Sequence, residues 1–66
     1  MLEKYLLAAE KSDERVLYPN ELPVQVTLKP DEIHKGVAVA AHPNGQIEVV
    51  VSNQVIYAPL KYITPI

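Results

Sequence analysis

The stretch from Val37 to Val51 constrains the fold more than any other part of this chain. Val37-Ala38-Val39-Ala40-Ala41 and Gln46-Ile47-Glu48-Val49-Val50-Val51 are both of strand length and rich in β-branched residues. Between them, His42-Pro43-Asn44-Gly45 has the composition of a tight turn. Proline presets φ for the second turn position, asparagine tolerates the third, and glycine reaches the positive φ that a hairpin needs. An antiparallel hairpin is expected here, and the rest of the chain must be arranged around it.

The flanking segments extend the β pattern. Val24, Val26 and Leu28 alternate with Gln25, Thr27 and Lys29, the two-residue period of a half-buried strand, and Pro30-Asp31-Glu32 ends it. Before it, Val16-Leu17-Tyr18 is a short β run closed by Pro19-Asn20. After it, Ser52-Asn53-Gln54 makes a second tight connection into Val55-Ile56-Tyr57. Pro59-Leu60-Lys61 then interrupts, and Tyr62-Ile63-Thr64 resumes an extended path. Residues 2–11 differ. Leu2, Tyr5, Leu6 and Ala9 recur at three-to-four spacing, with Glu3, Lys4, Glu10 and Lys11 outside that stripe, so a helix ending at Ser12-Asp13 is expected. So short a helix is unstable alone in water and must dock on something. The expected architecture is one domain over residues 1–66, mostly β. A five-stranded small barrel or strongly curled sheet (15–66) follows a short N-terminal helix (1–12).

At 66 residues the core is small, and a domain below roughly 70–80 residues usually needs a disulfide, a metal or a partner chain. There is no cysteine, and His34 and His42 are the only imidazoles, so neither a metal site nor a cofactor is expected. Yet 48% of the residues are hydrophobic. Either the core is unusually well packed or another chain helps to cover it. The net charge of −2 and the scattered lysines and arginines give nucleic acid little to bind. No apolar run approaches the ~18 residues of a membrane span. Met1-Leu2-Glu3-Lys4 lacks the basic-then-apolar build of a secretion signal, so the cytoplasm is the expected compartment.

Strict alternation through the central hairpin puts Val37, Val39, Ala41, Ile47, Val49 and Val51 inward. It leaves Ala38, Ala40 and Val50 outward as a flat patch of small apolar groups. Such a patch suits close approach by another chain. The N-terminal helix of the same chain is the other candidate to cover it.

In Tyr57-Ala58-Pro59-Leu60-Lys61-Tyr62-Ile63, a Tyr and an aliphatic residue stand three and four positions after a Pro, which resembles the end of a Src-homology-three domain. Val16-Leu17-Tyr18 is similar to that family's opening strand, and Leu28-Lys29-Pro30-Asp31-Glu32-Ile33 to its diverging turn. The resemblance implies a five-stranded barrel with a single helical turn after Pro59. It places Tyr18, Pro59 and Tyr62 at positions of a groove for proline-rich peptides. The family's groove Trp is absent, and the segment between Tyr18 and Val24 is too short for its long ligand-binding loop.

No nucleophile motif, phosphate-cradling glycine loop or paired acid and base stands out, so the chain by itself is not expected to be an enzyme. The plasmid-encoded dihydrofolate reductases are similar in architecture, with four barrels of this size around one pore. Gln54-Val55-Ile56-Tyr57-Ala58-Pro59 keeps their motif's residue types in order, and Lys35 would be the pore cation. Two insertions interrupt that motif, and Val55 turns Gln54 away from the face of Tyr57. The expected function is a non-catalytic interaction protein, acting as a homo-oligomer or as a small subunit or inhibitor on a larger partner, of the kind phages and plasmids encode. Ala38, Ala40, Val50, Tyr57 and Tyr62 are its candidate contact residues. The alternative is a nucleotide- or folate-type ligand site formed between chains, with polar contacts from His34, His42, Gln54 and Tyr57, and with Tyr18 as a further candidate.

Overall fold

The computed structural model describes residues 2–66; Met1, included in the expected helix, lies outside the described residues. Helix α1 (Leu2–Ser12) is followed by β1 (Val16–Lys29), β2 (Glu32–Ala41), β3 (Gln46–Val51), β4 (Gln54–Pro59), a 3-10 turn (Leu60–Tyr62) and β5 (Ile63–Pro65). The strands form one antiparallel sheet in the order β4-β3-β2-β1-β5. The mostly β, five-stranded fold with a short N-terminal helix is the one expected from the sequence. The helical turn after Pro59 is present as well.

Each turn has a local cause. Asp13 takes φ 57, the left-handed conformation that ends α1, and the Glu14 N–H donates back to the Ala9 carbonyl at 3.3 Å. In the β2–β3 loop the Gly45 N–H donates to the His42 carbonyl (3.1 Å), the His42 N–H donates to the Gln46 carbonyl (2.9 Å), and Gly45 has φ 90. Ser52 and Asn53 both take positive φ, 45 and 69, the paired left-handed residues of a two-residue hairpin that joins Val51 to Gln54.

The core lies on one face of the sheet and draws on every strand. Val24 and Val26 come from β1, Ala38 and Ala41 from β2, Ile47 and Val49 from β3, Ala58 from β4 and Ile63 from β5. One helix is too small to cover a flat five-stranded face, so the sheet must curl over its own core. Helix α1 closes part of it with buried Leu2 and Ala9 and half-buried Tyr5 and Leu6, the stripe expected from the spacing. Close approach at one point is absolute. A β-carbon on Gly36 would stand 2.2 Å from the Val50 carbonyl oxygen and 2.8 Å from Val51 Cγ2.

Two expectations are corrected. Pro19-Asn20 is not a turn between strands, because β1 runs unbroken from Val16 to Lys29 and the proline sits in an irregularity. Pairing with β2 jumps from Leu17↔Ala40 to Leu22↔Ala38, so four residues of β1 stand against Val39 alone. Proline has no N–H to give a ladder, and a bulge tolerates it. The second correction concerns Ala38. The β2–β3 pairing passes from Ala38↔Val49 to Ala40↔Glu48, leaving Val39 as an extra residue. Strict alternation fails there, so Ala38 and Ala41 both face inward and Ala38 is fully buried. Val37 and Val39 are half-buried instead. The patch of small residues is not on the surface, and α1 packs on the β1–β2 side of the sheet.

Candidate functional site

The register defines the outer face in rows. Leu17, Ala40, Glu48 and Tyr57 lie across β1, β2, β3 and β4, and Pro23, Val37, Val50 and Val55 form the next row. Val50 is therefore outward, as expected, but only half-exposed. Ala40 belongs to the outer row and yet is fully buried, so it is corrected as a contact residue. Its cover is local. Arg15 precedes β1, next to the Val16↔Ala41 pair, and its side chain reaches Glu48 on β3.

Glu48 is the centre of this outer cluster. Its carboxylate accepts from His42 Nε2 at 2.9 Å, from Arg15 Nε at 3.1 Å and from Arg15 Nη2 at 3.4 Å. Its side chain is only 13% exposed. The His42 hydrogen bond and the Arg15 guanidinium hold the carboxyl below its ordinary value against the opposing effect of burial. Donation to an ionised carboxylate requires a proton on Nε2 of His42. The His42 ring meets Tyr57 edge-on, with centroids 5.3 Å apart at 74°. Tyr57 is 51% exposed on the outermost strand, β4.

The structure thus brings His42 and Tyr57 together and adds Arg15 and Glu48. Sequence reasoning passed over both of these. The available signal was that Glu48 is the one charge inside an otherwise uncharged strand. His34 lies toward the other end of β2, where its Nε2 meets Glu32 Oε2 at 3.2 Å. Gln54 is exposed at the β3–β4 turn, and within one chain neither residue approaches the His42–Tyr57 pair.

Tyr18 is corrected as a ligand residue. It is buried, its hydroxyl donates to the Leu2 carbonyl at 3.1 Å, and its ring lies 5.0 Å from that of Tyr5. Burial, then the neighbouring Tyr5, pushes its pKa up to about 12. It anchors α1 and presents no open ring to a ligand. Tyr62 remains exposed, with Lys61 Nζ 5.3 Å from its ring centre.

Among the described residues no helix is long and apolar enough to cross a membrane, which says nothing of strands. The fold and the cluster define a small curled antiparallel domain with a polar knot at its outer edge. No protein-family model, curated protein or solved structure matches the chain.

Proposed function

We propose that this chain is a non-catalytic interaction protein that works by joining copies of itself along the edge of its sheet. The observation that carries the reading is the outer edge of β4. Gln54-Val55-Ile56-Tyr57-Ala58-Pro59 contains no charged residue, and Val55 and Tyr57 are each about half exposed. β4 pairs with β3 on one side and ends the sheet on the other. Protein edges are ordinarily guarded by lysines, inward charges, bulges or prolines, because unpaired strand groups recruit other strands. Here Pro59 guards only the last position. The short β5 at the opposite edge carries Pro65 and is the less receptive of the two. A β4-to-β4 contact is self-complementary and closes as a dimer, whereas β4 against β5 continues to a ring or filament. Tyr57 and Val50 are retained as contact residues, whereas Tyr62 lies away from this edge, beside Thr27, Lys29 and Thr64. Arg15, His42 and Glu48 lie beside the same edge, which favours as a second reading a small-ligand site completed where chains meet.

The test is the native mass of the parent and of a Val55→Lys/Tyr57→Lys variant at micromolar concentration, with circular dichroism to check folding. The expected result is a multimer that becomes a folded monomer. A parent that is monomeric, or a variant with unchanged mass, overturns the proposal. A thermal-shift panel of nucleotides and folates tests the second reading, and a flat response removes it.

A further inference from the structure

The β2–β3 turn brings together the reacting groups of a covalent change. From this geometry we infer that Asn44 is a site of spontaneous deamidation. Asn44 is exposed and is followed by Gly45, and space is open where a β-carbon on Gly45 would stand. The side chain is already folded over the turn, since Asn44 Oδ1 accepts from the Gln46 backbone N–H at 3.1 Å. The ring closed by that hydrogen bond contains Cγ, Cβ, Cα and C of Asn44 and the nitrogen of Gly45. Those five atoms are the members of the succinimide that deamidation forms. Holding them in one closed ring removes much of the entropy that the cyclisation would otherwise lose.

Hydroxide takes the Gly45 amide proton, and the nitrogen attacks Asn44 Cγ. A C–N bond forms, and the side-chain nitrogen leaves as ammonia with a proton from water. Hydroxide or water then opens the imide at either carbonyl, giving aspartate or isoaspartate at position 44. The sum is amide plus water going to carboxylate and ammonium, with no oxidant, reductant or cofactor. The Gly45 N–H must first release the His42 carbonyl, to which it donates at 3.1 Å. The Asn44 side-chain amide must likewise release Gln46 Oε1, to which it donates at 3.5 Å. Each event adds one negative charge, taking the chain from −2 to −3.

The chain contains its own controls. Asn20 precedes Glu21 and Asn53 precedes Gln54, and in both cases a side chain crowds the attacking nitrogen. The experiment incubates the pure protein at mildly alkaline pH and follows charge-resolved chromatography and peptide mass mapping with an isoaspartate assay. The expected result is a gain of one mass unit confined to the peptide containing Asn44, with isoaspartate present. Gly45→Ala should slow it by roughly tenfold, which corresponds to about 1.4 kcal/mol on the barrier. Asn44→Gln, which would need a six-membered ring, should nearly abolish it while keeping the amide and the charge. Change spread evenly over the three asparagines overturns the inference. So does an Asn44 peptide that ages no faster than the Asn53 peptide, or a Gly45→Ala rate equal to that of the parent.

Discussion

Replacing Gly36 by alanine tests the packing that holds β2 on β3. Two effects oppose each other. Alanine is favoured over glycine inside a strand by about 0.5–1 kcal/mol, because the unfolded chain loses freedom. Against this, the new methyl carbon would stand 2.2 Å from the Val50 carbonyl oxygen, 2.8 Å from Val51 Cγ2 and 3.0 Å from the Val50 carbonyl carbon. The nearest atom is backbone, so no rotamer change relieves it, and the strands must part by about 1 Å to restore an ordinary contact. Val50 is held on both sides, pairing with Val37 on β2 and Val55 on β4, so the displacement is shared with the ladder. Overpacking costs about 1–3 kcal/mol, and a backbone clash belongs at the upper end. The clash wins, with a net loss of about 2 kcal/mol. A domain of this size has only about 3–10 kcal/mol in total. Each kilocalorie corresponds to roughly 4–8 °C for a small domain, so the midpoint should fall by roughly 8–16 °C. Thermal and urea unfolding by circular dichroism measure it. An unchanged or raised midpoint would refute the close approach and with it the β2–β3 register.

Other perturbations read other parts of the structure. Tyr18→Phe removes the hydroxyl that donates to the Leu2 carbonyl and should cost about 1 kcal/mol by urea unfolding. In the parent, ultraviolet titration should find one tyrosine ionising only near pH 12, and the variant should lack it. Glu48 is held below its ordinary value of 4.5 in the fold. Its stabilising contribution is therefore complete above 4.5 and is lost as pH falls through the lower folded value. Glu48→Gln should flatten that part of the stability-versus-pH curve, and an unaltered curve would remove the His42–Glu48–Arg15 account. Ala38→Leu should destabilise by about 1–3 kcal/mol, since the side chain points into a filled core. The outward orientation expected from alternation would instead make it nearly neutral.

The helix and the two hairpin turns that flank β3 were legible because each rests on a local signal. Leu2, Tyr5, Leu6 and Ala9 share a face by helical geometry alone, and His42 to Gly45 form a turn whatever surrounds them. The faces of β2 were not legible. One extra residue at Val39 reverses the side on which Ala38 stands, and a bulge has no reliable mark in a run of valines and alanines. Pro19-Asn20 misled for a related reason, because the pair suits a turn and a bulge equally well. The polar cluster was half legible. His42 and Tyr57 stand out as polar contacts of a site between chains, together with His34 and Gln54, but their meeting within one chain depends on the β3–β4 register. Arg15 reaches Glu48 across 33 positions of sequence, a separation that local patterns do not report.

The central claim is that this chain finishes its surface with another copy of itself along β4. Light scattering coupled to gel filtration on the unmodified protein, at several micromolar concentrations, tests it most directly. The account expects a particle of a whole-number multiple of 7.4 kDa, with the multiple above one and rising toward its limit with concentration. A particle of 7.4 kDa across the range would contradict it.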